Sequence, residues 1–191
     1  MGKEVSLIGV KAIFYGAAIS TVATPFVDGD ATSGLSPAEL KAFLANTETK
    51  KVKNIHGDNW NYEKAKASKN YYKNKLTGKN YRSSTDDPGV SKITFSIGKY
   101  DFDTKADFEG GNASADKWSA ASKYTPKDLT IVALTEDNVY IVYPKADIIA
   151  GGVTTDDAVA ISIEATALEP DIQLESEVQI HKSAVDSATN P

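Results

Sequence analysis

Cysteine is absent from this 191-residue chain, which excludes disulfides, thiolate zinc sites and cysteine nucleophiles together. Histidine is almost as scarce: His56 and His181 are the only two, leaving little for metal binding or for the usual general base. No uninterrupted apolar run is long enough to span a bilayer. The first 18 residues superficially suggest a signal peptide or pilin leader, but Glu4 and Lys11 interrupt the apolar run, and Gly2 opens no good myristoylation signal although Ser6 stands where one wants it. The expectation is a chain with no membrane association and no export by this route. Heptads, internal repeats and phosphate-binding glycine loops are missing too. Gly110-Gly111 and Gly151-Gly152 lack the Lys-Ser/Thr step or the strand-to-helix context of a nucleotide site, so both read as turns.

What remains is ordinary globular material, 41% hydrophobic and 25% charged, which argues against disorder of the whole. The length suits one domain, residues 1–191, able to bury about two-thirds of its unfolded surface. Residues 129–135 and 139–143 are β-branched and aromatic on either side of Glu136-Asp137-Asn138, whose Asp and Asn tolerate turn geometry; this is a hairpin. After residues 144–149 and a loop at Ala150-Gly151-Gly152, a third run alternates with period two. Val159, Ile161, Ile163, Ala165 and Ala167 point one way and Ala160, Ser162, Glu164 and Thr166 the other.

Earlier in the chain, residues 5–24 read as one or two strands bent at Gly9 and Gly16, apolar on both faces and needing a cover on each, the second of which a neighbouring subunit can supply. Residues 27–35 form a loop. Ser36, Pro37 and Glu39 then spell a capping box that starts a short helix ending near Asn46. Asp86-Asp87-Pro88-Gly89 is a turn into another alternating strand, with Ile93, Phe95 and Ile97 inward, Lys92, Thr94 and Ser96 outward, and Gly98 ending it. A short acidic helix begun by Asp101 or Asp103 stops at Gly110-Gly111. Its carboxylates lack the spacing, glycine and terminal glutamate of a calcium loop, so capping and surface charge account for them. Residues 112–126 are expected to be a loop anchored by Trp118 and Tyr124. Residues 171–191 are expected to be a C-terminal arm or last strand (Ile172, Leu174, Val178, Ile180), frayed from Ser183 onward.

Residues 47–82 stand apart. They hold ten basic and three acidic residues, a net of +7, in a chain whose total is −5, so everything else sums to −12. Lys50, Lys51, Lys53, Lys64, Lys66 and Lys73 interleave with Trp60, Tyr62, Tyr71 and Tyr72, a composition that would suit a nucleic-acid groove. It matches no known RNA- or DNA-binding module and has nine lysines to one arginine. A solvated insertion over residues 47–88 and a contact arm reaching an acidic surface on a neighbouring copy are the other two readings, and the charge split of the molecule favours the arm.

Residues 128–170, with the hairpin ending in Tyr143-Pro144-Lys145-Ala146, the paired acids Asp156-Asp157 and the run Ala-Val-Ala-Ile-Ser-Ile-Glu-Ala-Thr-Ala-Leu, resemble the C-terminal half of tail tube proteins of long-tailed bacteriophages, a family that includes contractile-tail and type VI secretion tubes. The resemblance extends over about residues 5–170 and is firmest from Ser91. It implies a mainly β domain with short helices, a β-sandwich or rolled barrel, whose subunits form a ring, usually a hexamer, with a β-barrel lumen; rings stack into a virion tail tube assembled in the host cytoplasm. It further implies tape-measure, tail-terminator or baseplate partners, no catalytic residue, no cofactor and no metal. DNA would transit without specific binding, past a lumen whose candidate residues are Ser162, Glu164 and Thr166, since lysines there would hold phosphates. The basic insertion and the lack of a second, immunoglobulin-like domain depart from the pattern. The rival from another class is a nucleic-acid- or capsid-associated binding module using residues 50–82; a secreted adhesin lacks its export signal, and an enzyme lacks a positioned histidine, lysine or metal cluster beside its carboxylate pairs.

Overall fold

The turn at Glu136-Asp137-Asn138 forms as its chemistry dictates: Asn138 takes a positive φ of 60°, a conformation Asn tolerates better than most residues, and the flanking runs pair antiparallel. The computed structural model describes residues 7–56, 59–87, 89–123, 125–155 and 158–189. In chain order its elements are β1 (Ala12–Ala17), α1 (Pro37–Ala45), β2 (Lys50–Lys51), β3 (Asn61–Lys64), β4 (Ser68–Lys73), β5 (Asn80–Asp87), β6 (Ser91–Ile97), α2 (Phe102–Glu109), β7 (Asn112–Ser114), β8 (Lys117–Ser119), β9 (Lys127–Leu134), β10 (Val139–Thr155), β11 (Ala158–Ala167), β12 (Val178–His181) and α3 (Lys182–Ser187). Among the described residues the chain is mainly β with three short helices.

Eight strands make one sheet in the order β2-β1-β9-β10-β11-β6-β3, with β12 also on β10. Strand β10 is the hinge of this arrangement. A register shift between Tyr143 and Ala146 divides it, so its first half lies between β9 and β12 and its second half pairs with β11. Gly151 and Gly152 sit inside this strand, opposite Ser162 and Ile161. That corrects the loop expected there: glycine weakens a strand interior, but the pairing with β11 runs unbroken through both residues.

Two cores lie on opposite faces. Ile13 and Tyr15 of β1, Ile131 of β9, Ile141 and Tyr143 of β10, Ile163 of β11 and Phe95 of β6 converge on one. Phe108 of α2 joins them, its ring 4.6 Å from Tyr15 and 6.2 Å from Phe95, so β1 and β6 meet across the same core although four positions apart in the sheet. The sheet therefore curls, but no closed barrel forms among the described residues. On the other face Ala12, Val132, Tyr140 and Val142 pack against Leu40 of α1, Ile180 of β12 and Val185 of α3. The second cover of β1 is thus this chain's own helices. Of the described residues 7–24, only Ala12–Ala17 form a strand.

The capping box on α1 is complete, Ser36 receiving the Glu39 amide and Glu39 returning to Ser36. Helix α2 starts at the Asp101 cap and stops at Gly110. Two expectations change at the ends. Residues 112–119 form a small β7–β8 hairpin rather than a loop, anchored by Trp118, whose ring nitrogen donates to the Gly110 carbonyl at 2.9 Å; Tyr124 lies outside the described residues. The expected frayed terminus instead carries α3, with Val185 only 3% exposed and Lys41 of α1 donating to the carbonyls of Asp186 and Ala188.

Candidate functional site

Pairing divides the basic segment in two. Its first part belongs to the body: β2 pairs with β1 and β3 with β6. Here the lysines meet the chain's own acids. Lys50 reaches Asp107 at 2.5 Å, Lys53 reaches the cap residue Asp101 at 2.8 Å, and Lys64 reaches Glu177 at 3.0 Å. Lys51 lies 5.8 Å from the Phe14 ring centre. Trp60 and Tyr62 pack against the first core.

Glu177, just ahead of β12, is a residue that no sequence pattern marked. Its side chain is only 7% exposed, yet it accepts from Tyr62 Oη at 2.6 Å, Ser91 Oγ at 2.5 Å, Lys64 Nζ at 3.0 Å and Gln179 Nε2 at 2.9 Å. Burial pushes the carboxyl up, but the hydrogen bonds outweigh burial and hold it below its ordinary value. Burial and the Glu177 carboxylate together push the Tyr62 phenol up to about 12. The result is a carboxylate clasp joining β3, β6 and the start of β12.

The second part of the segment is a free-standing ribbon. β4 and β5 form a two-stranded sheet of their own, with Tyr71 opposite Ser83 and Tyr72 opposite Arg82. It continues the β3–β6 pair outward through Ala65, whose amide donates to the Val90 carbonyl, so it leaves the sheet at an end and not from a face. Gly89 has φ +79° at this junction, and a Cβ there would run into the Ala65 carbonyl. All six residues of β4 are exposed, including Lys69, Tyr71, Tyr72 and Lys73, and Lys66 just before it is exposed as well.

The third feature is the half of the sheet that the helices leave uncovered. Opposite the first core, Asp147 and Gly151 of β10, Ser162, Glu164 and Thr166 of β11, Lys92 and Thr94 of β6, and Asn61 and Glu63 of β3 share one surface by register, while Ser96, expected outward with Lys92 and Thr94, is buried. The expected alternation in β11 holds from Ile161 to Ala167 and fails before it: Ala160 is buried and Val159 is 64% exposed. Lys92 is paired with Glu164 at 2.7 Å, and Asp147 and Glu63 leave these residues together net negative. Ser162 is exposed and Thr166 half-buried. Asp156-Asp157 lie outside the described residues.

Asp101 and Asp107 of the α2 region are occupied within the chain. Asp101 caps α2 and holds Lys53, which keeps its carboxyl far below the usual range, while Asp107 accepts from Tyr15 and Lys50. Among the described residues no cluster of three or more His, Asp or Glu is placed to hold a metal, and no helix is long and apolar enough to cross a membrane. No protein-family model matches the chain, and no curated protein matches it either.

Proposed function

We propose that this chain is a structural subunit that assembles with copies of itself into stacked rings, hexameric on the tail-tube resemblance, around an open lumen that lets DNA pass during ejection. The observation that carries this reading is the uncovered half of the sheet. A single folded chain of this size ordinarily covers an apolar sheet face or solvates it with long charged side chains. Here the surface is made largely of Ser162, Thr166, Thr94, Asn61 and Gly151 with an excess of carboxylate, a combination that repels phosphates. Ile149, 54% exposed, and Val153, 39% exposed, supply apolar material on the same surface for contact between copies.

The implied partners are those of a tube: further copies, a tape-measure protein inside, and terminator or baseplate proteins at the ends. The chemistry is mechanical and no residue is asked to catalyse. Negative-stain electron microscopy of the purified protein over a concentration series tests the reading. Rings or tubes with an open centre support it. Monodisperse single chains at every concentration and salt overturn it.

A further inference from the structure

Residues 66–82 hold six cations and no acid, and among the described residues none of the six is ion-paired. This contrasts with Lys50, Lys53 and Lys64 a few residues earlier, each satisfied by a body carboxylate. On the ribbon, Tyr71 and Tyr81 are 60% and 69% exposed and Leu76 at the tip 95%. The ribbon's acids, Asp86 and Asp87, stand together at the end of β5, so its outer part carries one sign of charge together with exposed aromatics, which a merely solvated hairpin would leave out. An isolated two-stranded hairpin is also marginally stable in water. A ribbon with this composition, exposed along all of β4, is built to be covered.

We propose that the β4–β5 ribbon is a nucleic-acid-binding arm that grips the phosphate backbone without reading sequence. Lys69, Tyr71, Ser83 and Thr85 share one of its faces and Asn70, Tyr72, Arg82 and Ser84 the other, so both present cations, hydroxyls and rings. Arg82 lies 5.8 Å from the Tyr72 ring centre, which holds that ring beside its charge. A two-stranded ribbon fits the major groove, about 12 Å wide, and exposed tyrosines suit stacking on unpaired bases. Five of the six cations are lysines, point charges without the fork that recognises guanine, so affinity comes from phosphates and not from base edges.

Nucleic acid is favoured over a second copy of the chain because cations, hydroxyls and rings lie on both faces of the ribbon, which suits a polyphosphate with a regular row of acceptors and stackable bases. The body keeps a net negative charge of its own, so a second copy is the other outcome of the test. The arm is independent of the assembly reading. It leaves the sheet at the Lys64–Ser91 end, beyond the row of Glu63, Lys92 and Thr166, and works whether or not rings form.

The test is fluorescence anisotropy of the full chain with a random-sequence duplex of about 30 base pairs and with the matching single strand, from about 50 to about 200 mM salt. Binding is expected to both, with log affinity falling against log salt at a slope between about −3 and −5, the value for four to six phosphate contacts. Replacing Lys69, Lys73, Lys75 and Lys79 with Ser is expected to weaken binding at least about tenfold, while Lys117→Ser with Lys123→Ser on the body changes it less than about twofold. Circular dichroism confirms that each variant is folded. Sensitivity of the single strand to Tyr71→Ser with Tyr81→Ser assigns stacking to those rings. No binding by the native chain at about 50 mM salt, or binding that the ribbon lysines do not affect, overturns the proposal. Loss of self-association in the lysine variant, with no DNA binding by the native chain, assigns the ribbon to a second copy instead.

Discussion

Glu177 is the residue on which local chemistry and global fold depend most directly. Removing a carboxylate that four donors face leaves the Tyr62 and Ser91 hydroxyls buried without an acceptor, a loss of about 2–4 kcal/mol. Because its folded-state carboxyl lies below the ordinary value of 4.5, the clasp contributes fully above that value and is lost as pH falls through the lower folded one. The urea midpoint of Glu177→Gln is therefore expected to fall below that of the native protein by most at about pH 6–7, the gap closing as pH drops below about 4. A gap that stays constant to about pH 3 would show that the carboxylate charge is not what stabilises the clasp. The residue was not legible beforehand. An acid next to a strand looks like surface charge until folding brings Tyr62, Lys64 and Ser91, at least 86 positions away, around it.

Among the elements, the ribbon and the C-terminal pair contrast in what supports them. The ribbon is exposed along all of β4, so replacing residues 68–87 with a short Gly/Asn turn is expected to move the melting temperature by less than about 3 °C. Strand β12 and α3, in contrast, bury Ile180 and Val185 in the second core and flank the first half of β10. Deleting residues 178–189 is expected to cost at least about 3 kcal/mol, or about 6–12 °C for a chain of this length. Differential scanning calorimetry of the two deletions checks both, and equal losses would mean that the ribbon is part of the body. Helix α1 was legible in detail because every determinant of it, Ser36, Pro37 and Glu39, lies within its first turn. The C-terminal helix was not, since α3 has no side-chain cap and is held by contact with Lys41 and the apolar face beneath it.

At the scale of the molecule, the two cores share one sheet. Ile141 and Tyr143 of β10 face the first and Tyr140 and Val142 the second, so neither core can open without disturbing the strand that carries the other. Unfolding followed by circular dichroism and by tryptophan fluorescence, with Trp60 against the first core, is expected to give coincident transitions. Two separated transitions would refute this coupling. Charge is also distributed at this scale: the six cations of residues 66–82 leave the rest of the chain at −11, and among the described residues seven of the body's lysines are ion-paired to its own acids.

The sequence alone determined the parts whose causes are local. Period-two alternation set the inward residues of β6 and most of β11, β-branched runs around Asp-Asn made the β9–β10 hairpin, and the capping box made α1, because each rests on dihedral preference and hydrogen bonds within a few residues. Tertiary structure decided everything that depends on partners distant in the chain. It drew Gly151 and Gly152 into a strand by pairing them with β11, and bound Lys50, Lys53 and Lys64 to body acids while leaving Lys66 to Arg82 unpaired. It also covered β1 with α1 and α3. Apolar burial and strand pairing act between whichever segments meet, and no local pattern names the segment that will arrive.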